Sequence, residues 1–512
     1  LRRVDKVVHA AEPRVAVANK QGCSMQLEQR RRTKIVCTIG PASRTPERLR
    51  GLIAQGMDVA RINAAHGDRD SHARLIAAIR EQATAAGRPV GILFDLQGPK
   101  IRIGDLEHPR VARAGDVLHL AVNRPPGAEE LPTSYPLLDR DVAIGHRLLI
   151  DDGRISTEVV GVEPGLVRCR VNNEGKIGAR KGINLPDSWV SAPAVSDKDR
   201  GDALFAVERG VDMLALSFVR RGADVEQLSG IVGAAVPVLA KIEKPQGLDH
   251  LEEILAVSWG VMVARGDLGV ELPPEEVPMA QKHIIQRAQR WSRPVVTATQ
   301  MLESMTRTPR PTRAEASDVA NAVIDGTDAV MLSAETASGG FPLQSMAMMA
   351  RIVRFTESQH DHEHRHRRRS DRPLDAISHT VVDAGCDVAE RIGARGILAF
   401  TSSGKTALLT AERRPGVPIL AFSPSPRVRN RLSLVWGVEP YHIHQIPSTE
   451  ALLAEMDAVL LRQGLANHDE TFVVLMGGPD RPPRHTFGMM VHAVGRQPTA
   501  EYAGERDTDA LS

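Results

Sequence analysis

The sequence predicts an α/β protein: a (β/α)8 TIM barrel with a small β-domain inserted after its third strand, followed by a C-terminal α/β domain. Three observations carry this. Eight short apolar runs alternate with helical stretches, the alternation breaks off after the third run and later resumes, and a polar His/Arg-rich stretch precedes a third α/β unit. The length of 512 residues fits this division, since single hydrophobic cores stop growing beyond about 250–300 residues.

KIVCTIG (34–40) is apolar, β-branched and closed by Gly-Pro, hence a strand. A helix follows, with Thr45 as cap, Pro46 at its first position and Leu49, Leu52, Ile53 and Gly56 at helical spacing. MDVARIN (57–63) is the second strand, a helix runs to about Ala86, and VGILFDL (90–96) is the third strand. From 103 to 190 the chain breaks into short strand-like pieces (VLHL, HRLLI, LVRCRV) separated by Gly, Pro and Asp, without a helix. Alternation returns with VDMLALSF (211–218), VPVLAKIE (236–243), GVMVARG (260–266), PVVTATQ (294–300) and AVMLS (329–333). Three strands before the insertion and five after it make eight, the count of a TIM barrel; an open doubly wound sheet is the rival.

The expected organisation is a barrel over 25–102 and 191–358, an inserted lid-like β-domain over 103–190, a polar linker over 359–373, an α/β unit over 374–497 with strands GILAFT, PILAFS, VEPYHI and TFVVLMG, and a tail over 498–512. Residues 1–24 lack the apolar segment of a secretory signal, and Asp5 and Glu12 weaken a transit peptide; they read as an extension ahead of a start at Met25, which stands just before the first strand signal in a sequence that opens on Leu. The alternating His360, His362, His364 and His366 read as solvated linker rather than metal site, for want of apolar residues to order them.

Charge is almost balanced, 65 Lys+Arg against 63 Asp+Glu for a net +2, so no overall field argues for nucleic acid or membrane as partner. Basic runs at 30–32 and 365–370 have no interleaved aromatics. Four cysteines (Cys23, Cys37, Cys169, Cys386) show no CxxC spacing, which suits a reducing compartment and a cytoplasmic protein. No apolar run approaches the roughly 18 residues of a membrane span.

Active sites of TIM barrels lie at the C-terminal strand ends. There the second strand offers Arg61 and Asn63, the third Asp95, the fourth Ser217, the fifth Lys241 and Glu243, the sixth Arg265 and Asp267, the seventh Thr299 and Gln300, and the eighth Ser333 and Glu335. Glu243 and Asp267 are carboxylates on adjacent strands, a pattern suited to Mg²⁺, which binds protein through one or two carboxylates. Either acid alone is equally well explained by an ion pair with Lys241 or Arg265. Lys241 and Arg61 add the positive charge that phosphoryl transfer needs, and the turn at Gly266 and Gly269 exposes backbone N–H groups that suit an anion. TSSGKTALL (401–409) is not a Walker A loop, because Ala399 stands where the first glycine is needed.

These residues lie in segments by which the chain closely resembles pyruvate kinase from about Arg32 to Arg496: RRTKIVCTIGPAS, GMDVARINAAHGD, DLQGPKIR, ARKGINLP, LAKIEKPQG, VMVARGDLGVELP, TATQMLESM and RPTRAEASDVANAVIDGTDAVMLSAETA. The resemblance implies Mg²⁺- (or Mn²⁺-) dependent transfer of a phosphoryl group from phosphoenolpyruvate to ADP, giving pyruvate and ATP in glycolysis. Carried over by position, Arg61 binds the substrate phosphate, Lys241 stabilises the moving phosphoryl group, and Glu243 and Asp267 hold the metal. Ala264, Arg265 and Gly266 lead into the helix whose N–H groups take the substrate carboxylate with Thr299, while Thr299 and Ser333 relay the proton that makes pyruvate. Asn63, His66, Arg102 and Lys181 match nucleotide-contacting positions, Lys181 reaching in from a lid that closes. TSSGKT matches an effector loop that binds sugar phosphates in some members, so a sugar-phosphate or nucleotide effector is expected, as is a homotetramer.

Three positions depart from the family pattern. Asn63-Ala64-Ala65-His66 lacks a hydroxyl that ligates K⁺ in many members, and Lys100 replaces an acid that favours bound K⁺. Together these imply that Lys100, near Asp95, substitutes for the monovalent cation and that K⁺ is not required, since a second cation beside the ammonium would be repelled. The third, Trp259 in place of a common Asp, touches no named ligand. A Mg²⁺-enolate lyase or aldolase on a similar barrel would share the Lys, Glu and Asp but have no use for Lys181, and a catalytically silent binding protein would have no need to keep Lys241, Glu243, Asp267 and Thr299.

Overall fold

A computed structural model of the chain describes residues 30–233, 236–359, 376–444, 448–477 and 486–496. Met25, Cys23, the histidines of 360–366 and the tail fall outside the described residues.

The eight strands close into a parallel barrel, which excludes the open sheet. In chain order they are Lys34–Thr38, Val59–Asn63, Gly91–Asp95, Met213–Leu216, Val238–Ile242, Gly260–Ala264, Val295–Ala298 and Ala329–Leu332. Closure is made by the first strand pairing with the eighth, Lys34 opposite Ala329 and Cys37 opposite Leu332. Almost every barrel-strand residue is buried, as expected of parallel strands covered on both faces. Outward residues such as Ile35, Cys37, Ile92 and Phe94 pack under the helices, while Val36, Val59, Leu93, Met213, Leu239 and Met262 fill the barrel interior. Each such side chain contributes about 1.5–3 kcal/mol by leaving water.

The first helix, Pro46–Ala54, starts as the sequence predicts: the Thr45 hydroxyl accepts from the Arg48 N–H and Pro46 opens the first turn. It ends before Gly56, which lies outside it at φ +106° and turns the chain toward the second strand. The helix after the second strand is capped reciprocally by Asp68 and Ser71.

After Asp95 the chain leaves the barrel for the inserted β-domain, the expected lid, built on a six-stranded sheet and a two-stranded one. Strand Ile155–Glu163 alternates buried and half-buried residues, the pattern of a sheet with one packed face. A short helix, Leu138–Asp141, interrupts a region expected to hold none. The lid is tied to the barrel by two antiparallel stems, through the Arg102–Gly182 bridge and the Ile183 N–H to Ile101 O bond of 2.9 Å.

The C-terminal domain is a five-stranded sheet whose four expected strands are parallel. A fifth strand, Thr486–Ala493, not expected from sequence, adds antiparallel at the edge. Trp259 has a packing role: it lies against both the barrel interior around Leu434 and the C-terminal core around Leu432 and Val435. Nearby, the guanidinium of Arg414 lies 4.5 Å from the centre of Trp436 and 3.3 Å from Asp328, just below the eighth strand. Among the described residues no helix is long and apolar enough to cross a membrane.

Candidate active site

At the barrel mouth, Asp95 is 1 % exposed and surrounded by cations. Arg61 reaches it with two nitrogens, at 2.6 and 2.8 Å, and Lys241 Nζ stands 3.4 Å from its other oxygen. Burial alone would raise the Asp95 pKa, but Lys241 and Arg61 outweigh it and hold the carboxyl below its usual range. Arg61 also donates to the Thr38 hydroxyl at 3.0 Å, which donates to Leu332 O. Thr38 went unnoticed in the sequence although it is the polar end of the first strand.

Lys241 is the centre of the rim, with Nζ 2.9 Å from Glu243 Oε1 and donating to Ser217 Oγ at 2.8 Å. Its burial disfavours the ammonium, yet Asp95 and Glu243 hold its pKa above the ordinary lysine value. Glu243 is 1 % exposed and takes the Phe218 N–H on Oε2 at 2.7 Å. Burial raises its pKa, Lys241 opposes this, and Asp267 raises it again. Glu243, pushed up by burial and by the nearby Asp267 charge, stands beside an ammonium already shared with Asp95, and with Asp267 it makes a donor set that a divalent cation would complete.

Asp267 stands in the first turn of the rim helix Arg265–Glu271. The Gly266 N–H donates to Thr299 Oγ1 at 2.7 Å, and that hydroxyl donates to Ala298 O. Thr299 has φ +65°, costly for a β-branched residue by about 1–3 kcal/mol. Arg265 clamps it, donating to Thr299 O at 2.7 Å while also pairing with Asp318 at 2.7 Å. The Arg265 side chain is thus engaged in holding this turn. Ala264 ends the sixth strand, and Ser333, just past the eighth, has a buried hydroxyl without a hydrogen-bond partner.

Lys100 pairs with Asp267 rather than standing against Asp95, near which the segment DLQGPKIR placed it. Gly98, at φ +69°, turns the chain out toward the lid, and Lys100 Nζ comes to 3.6 Å from Asp267 Oδ1. Asn63 is half-buried at the end of the second strand, its Oδ1 accepting the Ala65 N–H, and His66 is exposed beyond it. Arg102, bridged to Gly182, and Lys181, whose carbonyl takes the Ile103 N–H, lie on the two stems, Arg102 donating to Arg180 O and Lys181 pairing with Asp151 at 2.8 Å.

A closed (β/α)8 barrel with a buried lysine, an arginine and two carboxylates on one rim defines an enzyme class that handles phosphoryl or enolate charge with a divalent metal, phosphotransferases and enolate lyases alike. Comparison with known proteins narrows it. The family profile "Pyruvate kinase, barrel domain" matches residues 30–346 and "Pyruvate kinase, alpha/beta domain" matches 379–492. The chain is 44 % identical to a pyruvate kinase of Corynebacterium efficiens over 470 residues, 91 % of this chain and 98 % of that one. It is 43 % identical to a pyruvate kinase of Mycobacterium tuberculosis, covering 91 % and 99 %. Its structure matches a crystal structure of a pyruvate kinase from Cryptosporidium parvum with a TM-score of 0.85 at 36 % identity, over 94 % of this chain and all of that one. The chain belongs to the pyruvate kinase family, which sets aside the lyase and aldolase alternatives.

Proposed function

We infer that this rim transfers a phosphoryl group from phosphoenolpyruvate to ADP, and the observation that carries the reading is the buried Lys241 held between Asp95 and Glu243. Glu243 and Asp267 would hold Mg²⁺ (or Mn²⁺), which when bound supplies a Lewis acid for phosphoryl and carboxylate oxygens. Arg61, fixed by Asp95 and Thr38, binds the substrate phosphate. The Gly266 N–H and Thr299 hydroxyl take the substrate carboxylate, reached through Ala264 and Arg265. The P–O bond to the enol oxygen breaks as a terminal ADP oxygen bonds to phosphorus, and Lys241 meets the charge on the moving group. The enolate left behind then takes a proton at carbon along a path containing Thr299 and the unpartnered Ser333 hydroxyl, giving pyruvate. Asn63, His66, Arg102 and Lys181 bind the nucleotide, the last two brought in by the lid.

Lys100 takes the part of the monovalent cation: its ammonium stands by Asp267 at the metal end of the rim, and Ala65 has no hydroxyl to ligate K⁺. The test is pyruvate formation from phosphoenolpyruvate and ADP with Mg²⁺, in K⁺-free buffer and again with KCl. Equal rates are expected. Strong activation by KCl would leave the enzyme but remove this role of Lys100, and no turnover in either buffer would overturn the activity itself.

The same reading includes a homotetramer and an effector site. Phe355 (69 % exposed) and Ile324 lie bare on the barrel helices, and Phe487, Met489 and Val491 line one side of the edge strand, apolar surface of the kind subunits cover. In the loop 401–406, Gly404 is left-handed with its N–H on Thr401 Oγ1 at 2.8 Å, a small cradle suited to a phosphate of a sugar or nucleotide. The described cysteines Cys37, Cys169 and Cys386 are free and buried, in keeping with a cytoplasmic setting.

A further inference from the structure

We propose that Glu271 is a positioning residue that fastens the metal-bearing rim helix to the lid through Asn184, so that filling the rim is transmitted to Lys181. The inference rests on the proposed phosphoryl-transfer reading and adds to it how the two halves of the site are linked.

Glu271 closes the rim helix and is 2 % exposed. Its Oε1 receives two donors at 2.9 Å, Lys244 Nζ from the barrel and Asn184 Nδ2 from the lid. Lys244 directly follows the carboxylate Glu243. Asn184 belongs to the last strand of the lid, Ile183–Asn184, opposite Leu149. The Lys244 pair by itself offsets the buried charge; the Asn184 bond is the one that crosses between the two bodies.

The helix makes the link direct. Asp267 and Glu271 are four residues apart, so they lie on one face, one turn or about 6 Å from each other. Any adjustment of Asp267 to a metal and substrate reaches Glu271 as rigid motion of a single turn. A second contact runs the same way: the lid turn at Gly153 comes against Val270, where an added Cβ would lie 3.5 Å from Val270 Cγ1. That turn carries Asp151, which holds Lys181 by its ion pair at 2.8 Å and donates its N–H to Gly182 O.

Glu271 Oε2 is buried without a hydrogen-bond partner, an arrangement that normally costs free energy. The Glu271 side chain borders a cavity of about 20 Å³ lined by Lys100, Asn184, Phe218, Arg220 and Lys244 among others, room for one water. The idle oxygen gives the Asn184 amide a second acceptor on the same carboxylate, so the lid strand can shift without losing its tie.

The experiment compares the full-length wild type with Asn184→Ala and Asn184→Gln, by hydrogen exchange with and without Mg²⁺ and phosphoenolpyruvate, by calorimetric binding of phosphoenolpyruvate, and by steady-state kinetics. In the wild type, ligands should protect the amides of residues 176–184. Asn184→Ala should lose that protection and raise KM for ADP about tenfold, the worth of one hydrogen bond to a charged group, while phosphoenolpyruvate binds as before. Asn184→Gln, which keeps the amide donor, should restore both. Full protection in Asn184→Ala, or a parallel rise in both KM values together with a lower melting temperature in both variants, would overturn the tie. A wild type that fails to bind phosphoenolpyruvate would overturn the underlying reading, and the proposal with it.

Discussion

Replacing Lys241 with methionine is expected to lower kcat by about 10³-fold, the size of effect seen when a positioned donor to developing charge is removed. The reason is electrostatic. The ammonium is desolvated, is held charged by Asp95 and Glu243, and faces the rim from the middle of the acidic and basic groups. An interaction made chiefly with the transferring group should appear in kcat with little change in KM for phosphoenolpyruvate. The variant should still fold, at a cost of about 3–5 kcal/mol for leaving Glu243 without its buried ion-pair partner, because Asp95 keeps both Arg61 contacts and Glu243 Oε2 keeps the Phe218 N–H. Methionine also nearly matches the lost length. Steady-state kinetics with circular dichroism and calorimetric substrate binding check this. A variant that folds, binds and turns over within tenfold of the wild type would remove Lys241 from the chemistry.

How much of this was legible beforehand follows from where each kind of information is stored. Barrel strands such as Gly91–Asp95 are buried on both faces and announce themselves as continuous apolar runs, with the polar residue that ends each run landing on the rim. Lys241, Glu243 and Asp267 are therefore readable as rim neighbours from the sequence alone. Pairings across the rim were not. Asp95 meets Arg61 and Lys241 because barrel curvature points all three inward, whereas Lys100, five residues on, is carried away by the Gly98 turn, where a Cβ would come within 2.9 Å of the Ser217 Cβ. The Glu271–Asn184 bond joins positions 87 apart in the chain, and each looks unremarkable in its own segment, VELP or GINLP. The edge strand Thr486–Ala493 escaped because an exposed, glycine-containing strand lacks the apolar continuity of its buried neighbours.

Arg414→Leu is expected to destabilise the protein by about 3–5 kcal/mol, the cost of removing one partner from a buried charge pair. Asp328, 6 % exposed, sits where the barrel floor meets the C-terminal domain. Its carboxylate takes the Val295 N–H at 3.0 Å and the Trp436 N–H at 3.2 Å, and Arg414 is its ion-pair partner at 3.3 Å. Arg414 also donates to Gly326 O and stacks on Trp436, so one side chain joins the end of a barrel helix, the foot of the eighth strand and the C-terminal domain. Arg414→Lys keeps the charge but not the planar stack and should lose less, about 1–2 kcal/mol. The pH dependence separates charge from packing. Burial raises the Asp328 pKa even with Arg414 opposing it, and loss of Arg414 must raise it further. A carboxyl whose folded pKa lies above its unfolded value destabilises the fold as pH rises from the unfolded value through the folded one. The deficit of Arg414→Leu in urea unfolding should therefore be full at neutral pH and shrink as pH falls toward the ordinary carboxylate range. A deficit that does not change with pH would mean that Arg414 acts by packing on Trp436 alone.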